Sequence, residues 1–276
     1  MKIYPKYGEI FRKIRLQKQI KLSSFSSSGI SSASVCKFET GKSMLRFDTL
    51  TSALSNLSFT LSDYENYLNS YALDEHEVFL QDLTSATLNN LNLFDFYEKA
   101  IELNEPILAL LLKGTSTTLF ENDVDEIIEY FEKLEFWREL DLFSLCMSLD
   151  YFKPPLVSYL LETFFITNTK MIFNSEKHRA RLATVILKGI LIFISQNNEE
   201  LSKHFLNYFK SSNYEHTMFT KNLYFFAEGC WIYKFKENDK GRKQINKTLS
   251  IFEYLSGTNI CDYYLKICQK YVDNDF

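Results

Sequence analysis

Apolar residues recur three and four positions apart along nearly the whole chain, and no repeated strand-and-turn signal interrupts them, so the pattern predicts an all-α protein. Near the amino end, Ile10, Phe11 and Ile14 give an apolar stripe to a first helix over roughly residues 6 to 18, whose other face carries Arg12, Lys13, Arg15 and Lys18. Leu22 with Phe25, and Val35 with Phe38, are two further pairs at helical spacing on either side of Gly29-Ile30. Two short helices would bury these inner faces around a tight turn. The surrounding serines would otherwise read as a flexible linker. Ser31 is placed to cap the second of these helices, and Gly41 to stop it in a left-handed conformation. Its outer face then carries Ser32, Ala33, Cys36 and Lys37, with Ser34 at the edge, a set small enough to enter a major groove. Phe47, Leu50, Leu54 and Leu57, then Leu61, Tyr64 and Leu68, complete a five-helix unit over residues 1–69.

Leu68-Asn69-Ser70-Tyr71 running into Asp74-Glu75 is too short for a free linker, so a second domain is expected over residues 72–276. Its segments open after Asn104-Glu105-Pro106, after Asn122-Asp123 (helix from Val124 to Phe136) and after Lys153-Pro154-Pro155, with proline suited to a first helical turn. Later helices are expected over 176–195, 199–210, 215–236, 240–255 and 259–272. The helix-loop-helix rhythm of very roughly 35 to 45 residues suggests stacked pairs in an α-solenoid.

Two of these helices are apolar on more than one face. Phe219, Leu223, Phe226, Cys230 and Tyr233 form one stripe, and Asn222, Phe225, Gly229 and Ile232 a second; Leu182, Val185, Gly189 and Ile192 stand beside Ile186, Ile190 and Phe193 in the same way. Such helices either pack between neighbours on all sides or line a ligand groove. The polar minority suits a short hydrophobic peptide. Asn222 can pair with a peptide backbone, while Arg179, Arg181 and Lys188 can take a carboxylate, with Tyr224, Phe225 and Phe226 supplying aromatic surface.

Charge divides the chain where the helices do. Residues 1–46 hold ten Lys or Arg against Glu9 and Glu39, and residues 1–69 carry a net +5, so a total of −4 leaves −9 on the remainder. A basic head on an acidic body is the footprint of a nucleic-acid-binding domain joined to one that does not touch nucleic acid. Five scattered cysteines with no CxxC pair read mainly as core thiols, and His76, His178, His204 and His216 lack any paired-ligand spacing. Without a phosphate-cradling glycine loop, a GxSxG elbow or a Cys/His dyad, an enzyme is not expected, nor a cofactor. The most apolar run, Leu182 to Ile194, is broken by Lys188 and is shorter than the roughly 17–25 residues a spanning helix needs, so no membrane association and a cytoplasmic location are expected.

Tyr7-Gly8-Glu9-Ile10-Phe11-Arg12-Lys13-Ile14-Arg15, Val35-Cys36-Lys37-Phe38-Glu39-Thr40-Gly41, Leu134-Glu135-Phe136-Trp137-Arg138-Glu139-Leu140-Asp141-Leu142-Phe143 and Phe226-Ala227-Glu228-Gly229 together resemble the Rgg/MutR transcriptional regulators of Gram-positive bacteria, with a head of the xenobiotic-response-element type. The resemblance implies a homodimer on a double-stranded promoter repeat and a tetratricopeptide-like body whose concave face binds a short signalling peptide, altering operator binding or RNA polymerase recruitment. It places Ser32, Ala33, Ser34, Cys36 and Lys37 toward the groove and Lys21, Lys42, Arg46, Arg12 and Arg15 toward phosphates. Serine, alanine and cysteine offer little direct base reading, so specificity would rest largely on backbone contacts and DNA shape. Two other readings remain open: a body serving only as an oligomerisation or protein-docking scaffold, and a basic head that binds a protein partner.

Overall fold

The computed structural model describes residues 5–70, 74–168, 176–211 and 217–276, with residues 164–168 and 211 as backbone only; Lys2, Tyr71 and His216 lie outside them. Every regular element among the described residues is helical, as the periodicity predicts. The chain forms two compact units, Met1–Val78 and Phe79–Phe276.

The first unit contains α1 (Pro5–Gln17), α2 (Ser32–Glu39), α3 (Phe47–Asn56) and α4 (Leu61–Leu68). Between α1 and α2, the expected short α-helix is instead a 3₁₀ segment, Leu22–Ser28. Serine hydroxyls compete there for backbone carbonyls, as Ser27 does by donating to Ser24 O at 2.9 Å, and Phe25 is the one fully buried anchor. Gly29 takes φ 73° to reverse the chain. The Ser31 hydroxyl accepts from the Ser34 amide at 3.1 Å, and Gly41 stands at φ 66° just beyond the α2 cap. Phe11 meets Phe25 at 5.8 Å and Phe38 at 5.6 Å between ring centroids, fastening α1, the 3₁₀ turn and α2 around one aromatic centre. α1 and α2 approach closely at Gly8: a β-carbon there would sit 1.8 Å from the Phe38 carbonyl oxygen.

The second unit is reached through α5 (Glu75–Leu88), whose first turn falls in the first unit and whose remainder falls in the second. Then follow α6 (Tyr97–Glu102), α7 (Pro106–Gly114), α8 (Glu121–Lys133), α9 (Glu139–Ser148), α10 (Pro154–Asn168), α11 (Glu176–Ser195), α12 (Glu199–Ser211), α13 (Met218–Phe235), α14 (Asn238–Ser256) and α15 (Thr258–Tyr271). Pro106 and Pro154 open α7 and α10, where a missing amide costs nothing. α8 begins three residues before its expected start because Asp123 lies within the first turn, accepting from the Phe120 amide at 2.8 Å, rather than preceding the helix.

α11 is the axis of this unit. Its apolar residues from Leu182 to Ile194 are buried, and it packs on α9, α10, α12, α13 and α15. α13 lies most extensively on α14, in a contact so close that a β-carbon on Gly241 would fall 2.2 Å from the Tyr233 amide nitrogen. For α11 and α13 the all-round apolar pattern therefore reflects packing between neighbours.

Candidate functional site

In the first unit, α2 turns Ala33, Ser34, Cys36 and Lys37 to solvent. Ser32 sits differently: it is half-buried and its hydroxyl donates to the Leu22 carbonyl at 3.1 Å, tying α2 to the preceding turn. Lys21, Lys42 and Arg12 are exposed, and Arg46 touches Asp48 at 3.6 Å with both side chains largely in solvent, a contact too weak to occupy it. Lys6 and Lys18, not singled out from the sequence, share that exposure; the Lys18 ammonium lies 5.3 Å from the Phe59 ring.

Arg15 cannot serve as a phosphate contact. It is 7% exposed, its guanidinium grips the Glu39 carboxylate through two bonds of 2.6 and 2.8 Å, and a third donates to the Ile20 carbonyl at 2.8 Å. The carboxylate bonds raise the affinity of the guanidinium for its proton above that of an ordinary arginine. One α-helical turn separates Arg15 from Phe11, so the residue that looked like part of the basic face is a bolt between α1 and α2.

In the second unit the residues expected to form an apolar groove are dispersed. Phe226 is fully buried, and its ring packs at 5.6 Å from Tyr264. Asn222 is 5% exposed and donates to the Thr248 carbonyl of α14 at 3.0 Å, so its amide joins two helices. Tyr224 is buried with its hydroxyl on Glu228 at 2.9 Å; Phe225 alone of the three aromatics is exposed. Lys188 points inward, donating to the Cys146 carbonyl at 2.7 Å and pairing with Asp150 at 2.8 Å. Asp150 also accepts from Lys270 at 3.0 Å and from the Tyr271 hydroxyl. Burial would raise its pKa, but these donors outweigh it and hold the carboxyl below the usual range. Arg179 is half-buried on α11.

Arg181 is the exception. Its guanidinium donates to the Thr84 hydroxyl at 2.5 Å and lies 5.7 Å from the Phe143 ring, and it makes no ion pair among the described residues. Burial lowers its pKa from the ordinary arginine value. It opens onto a pocket of about 370 Å³ lined also by Gln81, Thr84, Ser85, Leu88 and Asn89 at the end of α5 and by Ser256, Asn259 and Ile260 at the α14–α15 turn. Across that pocket Asn259 donates to the Asn89 side-chain carbonyl at 2.5 Å. No spacing in the sequence foretold this set, since Thr84 and Arg181 are 97 residues apart and Asn89 and Asn259 are 170 apart.

Residues 63–266 match the family model for the C-terminal domain of the HTH-type transcriptional regulator Rgg. The chain belongs to the Rgg family. Three solved structures share the fold across nearly the full length of both chains. A Listeria monocytogenes EGD-e protein classed as a transcriptional regulator aligns with TM-score 0.79 and 16% identity over 98% of each chain. The Streptococcus dysgalactiae SHP pheromone receptor Rgg2 aligns with TM-score 0.74 and 16% identity over 96% of this chain and 99% of that one. A complex of PrgX with cCF10 aligns with TM-score 0.70 and 12% identity over 96% and 99%. The Rgg family is one of transcriptional regulators rather than enzymes, and no helix among the described residues is long and apolar enough to cross a membrane.

Proposed function

We propose that this Rgg-family regulator binds double-stranded promoter DNA as a homodimer through α2, and that a short hydrophobic peptide bound in the second unit changes its operator binding or its recruitment of RNA polymerase. The observation that carries the DNA half is the solvent face of α2. Ala33, Ser34, Cys36 and Lys37 offer a low profile, and Lys21, Lys42, Arg12 and Arg46 stand around it free of strong carboxylate partners. An eight-residue reading helix with a single long polar side chain reads few base edges, so two copies on a repeated site would be needed for useful specificity. The charges serve chiefly to neutralise phosphates.

The peptide half draws on the likeness to the SHP pheromone receptor Rgg2, to PrgX in complex with cCF10 and to a bacterial peptide pheromone receptor complex. The buried Asn222, Tyr224 and Phe226 are engaged inside the fold, which moves the ligand site toward the open pocket beside Arg181. α5 offers a route for coupling. It lines that pocket with Gln81, Thr84, Ser85 and Leu88, and its first residues are the ones nearest the first unit in sequence. A peptide shifts DNA binding only by as much as it prefers one arrangement over the other.

Retention by the DNA upstream of its own gene at moderate salt, against random DNA of equal length, tests the first half. Lys37→Ala should lower the slope of log affinity against log salt by about one unit if the ammonium meets a phosphate; unchanged affinity at every salt concentration would remove α2 from the interface.

A further inference from the structure

Three arginines of the fold meet their neighbours in different ways: Arg15 is buried, Arg181 half-buried and Arg138 exposed. Arg15 holds Glu39 through a two-bond fork. Arg138 holds Glu105 the same way, at 2.6 and 2.9 Å, and Asp141 besides. Arg181 has one hydroxyl partner and one aromatic face, and its other donors open onto the pocket. A guanidinium carries five N–H donors and a full charge, and in a half-buried setting an anion that engages its free donors is favourable. Among the described residues no acidic side chain lines the pocket, although the Glu139 charge acts on Arg181 through space. The groups around Arg181 also have hydrogen-bonding capacity to spare: the Gln81 amide, the Ser256 hydroxyl and the side-chain carbonyl of Asn259 are exposed and form no hydrogen bond with other described residues.

We infer that this pocket is the carboxylate end of the peptide site: Arg181 takes the free C-terminal carboxylate of the bound peptide, and Leu88 and Ile260 contact its last apolar side chain. The inference rests on the peptide-responsive reading above and specifies one end of that ligand. The volume supports an end rather than a whole chain, since 370 Å³ lies near the bottom of the roughly 300–1,000 Å³ range of ligand pockets. The charge fixes which end. An N-terminal ammonium would meet Arg181 with like charge, whereas a carboxylate accepts its planar fork through two parallel bonds. Leaving the carboxylate flanked by Gln81, Ser256 and Asn259 satisfies its remaining lone pairs without a second cation.

The test uses the full chain and two pools of hexapeptides built only from Leu, Ile, Val, Phe and Trp, identical except that one ends in a free carboxylate and the other in an amide. With no acidic side chain in either pool, any preference reports the terminus. The concentration giving a half-maximal rise in melting temperature should be at least tenfold lower for the free acids, and Arg181→Gln should bring the two pools to within about threefold. Equal response of the wild-type protein to both pools would overturn the carboxylate subsite while leaving a peptide receptor in place. A tenfold preference that survives Arg181→Gln would place the carboxylate elsewhere and overturn it too. Response to neither pool would remove the peptide reading and the subsite with it. The wild-type comparison needs no variant, so it decides the matter even where Arg181→Gln does not fold.

Discussion

Glu39→Gln isolates the bolt between α1 and α2. The wild-type pair is a two-bond fork at 2.6 and 2.8 Å, both residues 7% exposed, with a third guanidinium donor on Ile20. Removing one partner of a buried pair costs about 3–5 kcal/mol, because the surviving charge is left uncompensated. Glutamine keeps one oxygen acceptor, so the expected loss here is about 2–4 kcal/mol. A unit of this size has only about 3–10 kcal/mol of stability in all, and its melting temperature should fall by roughly 4–8 °C for each kcal/mol lost. Trp137 and Trp231 both lie in the second unit and would not report the event. Amide exchange at Val35 and Phe38 would, with protection reduced by about 30- to 1,000-fold at the tenfold-per-1.4 kcal/mol conversion. Replacing both partners, Arg15→Met with Glu39→Leu, should recover most of the loss, since it removes the orphaned charge along with the bond. Well below melting, that double variant should retain the wild-type salt slope for DNA. A cost below about 0.5 kcal/mol for Glu39→Gln, or a slope reduced by about one unit in the double variant, would refute the structural role and return Arg15 to the phosphates.

Three further expectations follow from particular contacts. Asn222→Ala removes the donor to the Thr248 carbonyl in a buried joint between α13 and α14, so it should lower the stability of the second unit by about 1–3 kcal/mol by urea melting; a lost peptide response with unaltered stability would instead make Asn222 a ligand contact. Asp150 is held below the usual carboxylate range, so its pairing stabilises the fold above the unfolded value of about 3.9 and is lost as pH falls through the lower folded value. Asp150→Asn should therefore be less stable than wild type at pH 6 to 7, with the gap closing below about pH 4; a gap constant down to pH 2 would contradict the assignment. Gly8→Ala sets a β-carbon 1.8 Å from the Phe38 carbonyl oxygen, where backbone must move, so the head should lose about 3 kcal/mol or more and with it DNA binding at 37 °C; unchanged exchange at Phe38 would show that α1 and α2 separate freely.

What was legible in the sequence was whatever neighbouring residues decide. Proline opened α7 and α10, serine capped α2, and the run from Glu176 to Ser195 formed one helix, because each of these outcomes rests on residues within a turn or two. The exposed face of α2 was readable for the same reason: a helix eight residues long, with Val35 and Phe38 turned inward, leaves Ala33, Cys36 and Lys37 outside. Local pattern was weaker where two local rules competed, as in the serine-rich 3₁₀ turn and at Asp123, which can precede a helix or sit inside its first turn.

The site residues divide on a different principle. A polar side chain on an apolar helix must find a partner, and the sequence announces the need without saying who meets it. Asn222, Lys188 and Arg181 showed that need, whereas Arg15 read as part of a solvated basic face. Arg15, Asn222 and Lys188 are answered from inside the fold, by Glu39 at a separation of 24 residues, by Thr248 at 26 and by Cys146 at 42. These separations are set by which helices stack, which no single helix encodes. Arg181 reaches 97 residues to Thr84 and still has donors left over. Arg181 is half-buried, so those remaining donors stay open to solvent or to whatever enters the pocket. The same reasoning separates Lys37 from Arg15 in the head. Both are basic residues at α2 or packed on it, but only Lys37, which has no carboxylate partner among the described residues, keeps its charge exposed to solvent.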